Sequence, residues 1–526
     1  MTVTLFHQLV TATATRYPER EAVRFHEQSV SYAQLAAQME RVSAGLLELG
    51  LLRCERVAVY LEKRIETVVA LFGASLAGAV FVPVNPLLKA DQVGFQLLDC
   101  QVKMLVTTAQ RFEAILAALM DCPDLETVIL IDHYAGSLSD CHFQVIDWEA
   151  TLGAPAGRPV HRCIDQDLAA ILYTSGSTGK PKGVMLSHRN LVSGAMIVGQ
   201  FLHNVPEDRV LCVLPLSFDY GLSQLSTVFL SGGTAVLLNY LMPVDVLNTV
   251  RRERITGLAG IPPLWGQLAQ LDWSGIGSLR YLTNSGGVMP GPLLAALRSQ
   301  LPDTRIYLMF GLTEAFRSTF LAPELVDQKP DSIGKAIANN EVRVLRPDGT
   351  ECDPDEPGEL VHRGSLVALG YWNRPEQNAQ RFKPIHPGGL PCQETAVWSG
   401  DLVRRDQDGF LYYVGRREEQ IKVSGYRISP QEVEEVLTGF DGISELAVIG
   451  VAHPLSGQAI VAVVAQNGRG VLTDSGLRRH CLQHLPAYMV PAHFAIEAAD
   501  LPKNPNGKIN RQALQLRFST FFQVPS

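Results

Sequence analysis

The stretch Tyr173-Thr174-Ser175-Gly176-Ser177-Thr178-Gly179-Lys180-Pro181-Lys182-Gly183 concentrates more chemistry than any other part of the chain. Glycines let backbone N–H groups close on an anion, hydroxyls add donors, and lysines supply charge. Such a loop suits the gripping of polyphosphate. A Walker-type loop needs Gly-Lys followed by Ser or Thr at the opening of a helix. Here Pro181 follows Lys180, which keeps Gly179 and Lys180 out of a helix. The plain alternative is a flexible Gly/Ser linker. Against it, the apolar run Ala169-Ala170-Ile171-Leu172 predicts a buried strand before the loop, and Ser187 to Val198 predicts a helix after it.

Further stations follow in order. Gly311-Leu312-Thr313-Glu314 leaves the apolar run Ile306 to Phe310, and a carboxylate just past such a strand sits where α/β proteins place ligands. Alone, Glu314 could equally serve a helix N-terminus. Trp398-Ser399-Gly400-Asp401-Leu402 offers a carboxylate able to accept two hydrogen bonds from a cis-diol, or else a simple Gly-Asp turn. Gly415-Arg416-Arg417-Glu418 adds cations. In Gln420 to Ile428, Gly425 suits close backbone approach to a ligand, the alternative being an ordinary hairpin with a solvated Lys422. Last comes Leu501-Pro502-Lys503-Asn504-Pro505-Asn506-Gly507-Lys508-Ile509-Asn510.

These stations, from Ala169 to Asn510, resemble the motifs of the AMP-forming adenylate superfamily. It holds acyl-CoA synthetases, firefly luciferase and the adenylation domains of nonribosomal peptide synthetases. The resemblance implies ATP and Mg²⁺ as cofactors. It assigns Thr174, Ser175, Gly176, Ser177, Thr178, Gly179 and Lys180 to the polyphosphate, with Thr313 on phosphate and Glu314 helping to hold Mg²⁺. It lays Phe310 against adenine, with Gly311 and Ser285-Gly286-Gly287 beside the nucleotide; Phe310 stands where Tyr is common, so stacking survives without a phenol hydrogen bond. Asp401 would grip the ribose, and Arg416 ribose or phosphate. Glu418 stands where the family's hinge position usually has Asp. Thr174, Glu314 and Lys508 form the implied catalytic set, Lys508 neutralising charge between carboxylate and α-phosphate. Lys422 and Gly425 would admit a phosphopantetheine thiol in the second half-reaction.

The resemblance lines the acyl pocket with Leu214 to Gly221, Gly260-Ile261-Pro262, Asn284 to Gly287 and Ala315-Phe316-Arg317. Phe218-Asp219 matches relatives whose Asp binds a substrate ammonium, and Tyr220, Gly260, Ser285 and Arg317 complete the expected acid site. The opposing match is to acyl-CoA ligases that read Phe-His-x-x-Gly there, with Phe218 in place of His and Gly221 matching. By residue type Asp219 could also be a helix N-cap. Arg317 could neutralise Asp219 or bind a substrate anion. The balance favours an amino-acid-like substrate, because a buried carboxylate without a cation is costly. The chain resembles most the stand-alone prolyl-type adenylating ligases and the exosortase-associated acyl-CoA ligases. The acceptor implied is CoA or a separate carrier protein. Two other readings are a nucleotide sensor without turnover, which intact Glu314, Asp401 and Lys508 oppose, and luciferase-like oxidation.

Positioning these groups requires a large scaffold. The chain has 526 residues, 46% hydrophobic and 19% charged, which suits a globular enzyme of several structural units. A net charge of −8 with no basic tract argues against nucleic-acid binding. Nine scattered cysteines, with no Cys-x-x-Cys pair, predict free thiols and a cytoplasmic protein. Neither a secretory signal nor a membrane span is predicted. Arg56 to Tyr60, Val80 to Val84, Met104 to Thr107 and Thr127 to Ile131 read as buried strands alternating with helices such as Ile65 to Ala77. That pattern predicts an α/β fold with parallel sheets. Period-two alternation in Glu341 to Leu345 and Gly358 to Arg363, around the Asp348-Gly349 turn, predicts a β subdomain. The expected division is an adenylation domain over residues 1–416 and a small mobile α+β domain over 417–526.

Overall fold

The computed structural model describes residues 2–136, 141–152, 161–174, 181–385, 393–416, 421–423, 426–428, 430–453, 456–466, 472–485, 487–505 and 507–522. Contacts divide the chain into two compact units: Met1–Val342 with His362–Trp398, and Arg343–Val361 with Ser399–Ser526.

The first unit is built on two sheets. One runs, in spatial order, Gly370–Tyr371, Lys182–Ser187, Leu168–Thr174, Val80–Pro83, Arg56–Tyr60, Val102–Thr107, Thr127–Leu130 and Gln144–Asp147. Its strands from Leu168–Thr174 onward are parallel, and all but the edge strand Gln144–Asp147 bury nearly unbroken Val, Ile, Leu and Ala runs, as a sheet covered on both faces must. The other sheet has a parallel centre: Arg305–Phe310, Tyr281–Asn284, Gly257–Gly260, Arg209–Cys212, Thr234–Leu237 and Glu21–Phe25. Thr319–Leu321 and Ser332–Ala336 extend it antiparallel past Arg305–Phe310. The helix Ile65–Leu76 is apolar on nearly every side, and its Phe72 stacks on Phe6 at 4.3 Å. The expected helix after the phosphate loop is His188–Phe201. It starts one residue later because Ser187 is its N-cap, Ser187 Oγ accepting from Asn190 N at 3.2 Å while Asn190 Oδ1 accepts from Ser187 N at 2.8 Å.

Among the strands that the sequence reading did not name, one bears on the loop. Between loop and helix lies Lys182–Ser187, antiparallel to Leu168–Thr174 with Thr174 opposite Lys182. The strands on either side of the loop are therefore successive and antiparallel, whereas a Walker loop leads from a strand into a helix.

In the second unit, a sheet of Tyr426–Ile428, Ile421–Val423, Gly457–Gln466 and Ile443–His453, with His493–Glu497 parallel to Gly457–Gln466, carries the helices Pro430–Thr438, Asp474–His484 and Arg511–Arg517. This is the α+β arrangement expected near the C-terminus. The strands Asn340–Leu345 and Gly358–Gly364 flank a turn closed by Gly349 N on Arg346 O at 2.9 Å.

Candidate active site

Four adjacent parallel strands deliver the candidate acid site. Arg209–Cys212, Gly257–Gly260, Tyr281–Asn284 and Arg305–Phe310 end in register, Gly260 opposite Asn284 and Asn284 opposite Leu308. Their carboxyl ends release the segments bearing Phe218-Asp219-Tyr220, Ile261, Ser285-Gly286-Gly287 and Gly311 to Arg317. Open α/β sheets place ligands at this edge. Gly286 has φ +79°, and a Cβ there would lie 3.4 Å from Ile261 Cγ2 and 4.0 Å from Phe218 Cζ, so three of these segments meet.

Glu314 sits in the single turn Thr313–Ala315 and is buried along with Thr313. Tyr371 Oη donates to Glu314 Oε1 at 2.5 Å, a length typical of a hydroxyl on a carboxylate. Burial first, then the Glu314 carboxylate, push the Tyr371 phenol up, which keeps it a donor. Tyr371 pairs with Val184 of the strand after the phosphate loop, and Lys182 Nζ lies 5.4 Å from the Tyr371 ring centroid. The same edge is pinned by Asp99, which accepts from Tyr173 Oη at 2.8 Å, takes Trp372 Nε1 on its carbonyl at 3.0 Å and ion-pairs with Arg374. Tyr371 thus links Glu314 to Lys182, which pairs with Thr174 at the base of the loop. Sequence reasoning missed Tyr371; its only local signal is Gly370 (φ +128°), whose backbone admits the turn into the aromatic pair Tyr371-Trp372.

Asp219 is the first residue of the helix Asp219–Ser231 and is buried. Phe218 holds the N-cap position without a side-chain cap bond, so the N-cap alternative for Asp219 does not hold. Arg317 does not neutralise Asp219 either: its Nη1 donates to Ser285 Oγ at 3.2 Å, and its guanidinium lies over the Tyr220 ring at 4.8 Å. Tyr220 Oη donates to Thr283 O at 2.8 Å. Gly260 faces the Trp265 indole, which would lie 2.6 Å from an added Cβ. Packing against Trp265 accounts for the absence of a side chain at this position. Gly311 is required for a similar reason, since a Cβ would lie 3.2 Å from Arg317 Cα. Phe310 is half-buried at the end of its strand.

In the second unit, Asp401 lies inside the strand Glu394–Arg405, opposite Arg416, and is buried. The turn alternative for Gly400-Asp401 fails: Gly400 takes φ +71° within the strand, donating its N–H to Glu359 Oε1 at 2.9 Å. Ser399 Oγ donates to Leu360 O at 2.6 Å and accepts from Asp401 N at 3.0 Å, fixing the carboxylate's backbone. Lys508 is exposed on a tight turn, with its N–H on Asn504 Oδ1 at 3.0 Å and its carbonyl accepting from Asn504 N at 2.7 Å. Ile421–Val423 and Tyr426–Ile428 form a hairpin around the candidate thiol-access loop. Ser175, Gly176, Ser177, Thr178, Gly179, Lys180, Glu418 and Gly425 lie outside the described residues, as do the side chains of Arg416 and Lys422.

The model of the AMP-binding enzyme family matches residues 10–372, and that of the AMP-binding enzyme C-terminal domain matches residues 432–508. The chain belongs to the AMP-binding enzyme family. It is 31% identical over 522 residues to the L-proline–[L-prolyl-carrier protein] ligase of Pseudomonas fluorescens, covering 97% of this chain and 98% of that protein. It is 29% identical to part of bacitracin synthase 3 of Bacillus licheniformis, spanning 98% of this chain but 8% of the synthase. Among solved structures, o-succinylbenzoate CoA synthetase from Bacillus subtilis, in complex with ATP and magnesium ion, aligns with a TM-score of 0.83 at 28% identity, over 96% of this chain and 99% of that one.

An AMP-binding enzyme with bound Mg²⁺ needs a donor set to match. Among the described residues no group of three or more His, Cys, Asp or Glu side chains could hold a metal ion. A single buried carboxylate oriented by a phenol suits Mg²⁺, which takes one or two carboxylates plus substrate phosphates. Tyr371 is then a positioning residue. Tyr371→Phe should lower kcat/KM for MgATP by roughly 10–100-fold and raise the Mg²⁺ concentration needed for half-maximal rate. A Mg²⁺ titration that superimposes on the parent's would remove Tyr371 from this role.

Proposed function

We propose that this chain is an ATP-dependent, AMP-forming acid–thiol ligase. A carboxylate attacks the α-phosphate of ATP, the Pα–O bond to pyrophosphate breaks, and an acyl-adenylate forms. A phosphopantetheine or CoA thiolate then attacks the acyl carbonyl, and AMP leaves. The observation that carries this is that Tyr371 both holds buried Glu314 and lies against Lys182, which pairs with Thr174 at the start of the glycine- and hydroxyl-rich segment.

Residues Thr174 to Lys180 and Thr313 would hold the polyphosphate and Phe310 the adenine. Glu314 would hold Mg²⁺, which when bound spreads the charge developing on the phosphates. Ser285 to Gly287 would border nucleotide and acid, Asp401 would hold the ribose diol, and Arg416 the ribose or phosphate. Phe218, Asp219, Tyr220, Ser285 and Arg317 would receive the acid. We place the mobile domain after residue 416, with Lys508 acting in the first step and Lys422 and Gly425 admitting the thiol in the second. The acceptor is CoA or a separate carrier protein, as the names of the relatives suggest, and an amino acid is the favoured acid because Asp219 is buried beside the pocket. Eight cysteines among the described residues are free, and none of the described helices is long and apolar enough to cross a membrane, which suits a cytoplasmic enzyme.

Acid-dependent exchange of labelled pyrophosphate into ATP tests the first half-reaction. Gly425→Leu tests the second. It should leave exchange intact while thioester formation falls and adenylate accumulates, because a bulky side chain fills the space the thiol arm needs. Equal loss of both half-reactions would remove Gly425 from that path.

A further inference from the structure

The guanidinium of Arg317 is 1% exposed and only partly satisfied. Nη1 reaches Ser285 Oγ, whereas Nε and Nη2 are buried with no hydrogen-bond partner. These two nitrogens form one edge of the planar fork, the edge that accepts both oxygens of a carboxylate in parallel. A buried guanidinium without an anion is costly, and among the described residues no carboxylate lies within ion-pairing distance of it.

The chain is bent to hold this cation in place. Phe316, just before it, takes φ +50°, a region that strains any residue but glycine. Its fully buried ring fills the space that a side chain at Gly194 would need, 2.5 Å from the ideal Cβ. Gly311 lets the Arg317 backbone fold back against the strand end. The side chain then borders a cavity of about 30 Å³, also lined by Tyr220, Ser223, Thr283 and Met309. That volume has room for about two waters or a small polar group such as a carboxylate.

We infer that the acid activated here carries a second carboxylate, seated on Nε and Nη2 of Arg317, so that the substrates are short dicarboxylic acids, with or without an amino group. This rests on the adenylating reading of the same site. The first carboxylate reacts at the nucleotide, and the second anchors the distal end and supplies the charge that Arg317 lacks.

The test pairs each diacid with its neutral isostere: succinate with succinamate, glutarate with glutaramate, aspartate with asparagine, and glutamate with glutamine. Pyrophosphate exchange is measured for the parent, Arg317→Gln and Arg317→Met, together with thermal melting with and without each acid. At least one diacid should exceed its amide by roughly 100-fold or more in kcat/KM, and in both variants that ratio should fall towards one. Arg317→Met without ligand should melt at or above the parent, since an unpaired buried charge is removed. Amides used as well as diacids by the parent, or variants that melt lower and lose both acids equally, would overturn the inference. Should no acid support exchange, melting decides: stabilisation of the parent alone by a diacid upholds the second carboxylate while the ligase reading falls, and no stabilisation overturns both.

Discussion

Replacing Lys508 with alanine should lower acid-dependent pyrophosphate exchange by roughly two orders of magnitude or more, the effect of losing one positioned donor to a developing charge, about 3 kcal/mol. The carboxylate and the α-phosphate are both anionic, so their approach needs a cation between them. The turn around Lys508 is fixed by its own backbone, through Asn504 and through Gly507 at φ +76°, while the side chain is exposed. The substitution therefore leaves the backbone bonds of the turn in place. Thioester formation from a supplied acyl-adenylate should also survive, because that step has no α-phosphate attack to assist. Near-parental exchange in Lys508→Ala would contradict the assignment, and so would equal loss of both steps.

Asp219→Ala carries the next largest effect. A buried carboxylate in the first turn of the helix Asp219–Ser231 is favoured by the helix dipole, and on the amino-acid reading it would receive the substrate ammonium. Removing one partner of such a desolvated pair costs about 2–5 kcal/mol. If the acid carries an amino group, exchange driven by it should fall by roughly 30-fold or more, and the parent should use the matching acid without the amino group poorly. A parent that prefers the unaminated acid, with that preference unchanged in Asp219→Ala, would leave Asp219 as a helix-terminal charge and make the enzyme an acyl-CoA ligase for non-amino acids. The Arg317 experiment is separable, since glutarate and glutamate differ only in the group that Asp219 would meet.

Strand ends and the residues just beyond them were legible because buried parallel strands are continuous apolar runs. Ile306 to Phe310 announced Glu314, and Ala169 to Leu172 announced the loop. Lys182–Ser187 was not legible. It is short, mixes Lys, Gly and Ser with apolar residues, and ends on its own helix cap. The bond from Tyr371 to Glu314 joins residues 57 positions apart, and no local pattern encodes that pairing. Residue type alone gave Asp219 an N-cap alternative and Gly400-Asp401 a turn alternative. In the fold, Phe218 takes the cap, and the long strand Glu394–Arg405 absorbs the positive φ of Gly400. At Gly260 the letter alone did not reveal the Trp265 ring that leaves no room for a side chain there. The two unpartnered nitrogens of Arg317 depend on the reversal at Phe316, a backbone conformation that the letters Ala-Phe-Arg do not reveal.

The central claim is that a carboxylate of the substrate attacks the α-phosphate of ATP. It is tested most directly by the fate of that carboxylate's oxygen. With an acid from the exchange panel labelled with ¹⁸O in its carboxyl groups, turnover by thiol or by water should release AMP carrying one ¹⁸O atom, read by mass spectrometry. Label in inorganic phosphate accompanied by ADP, or AMP with no label, would contradict the account.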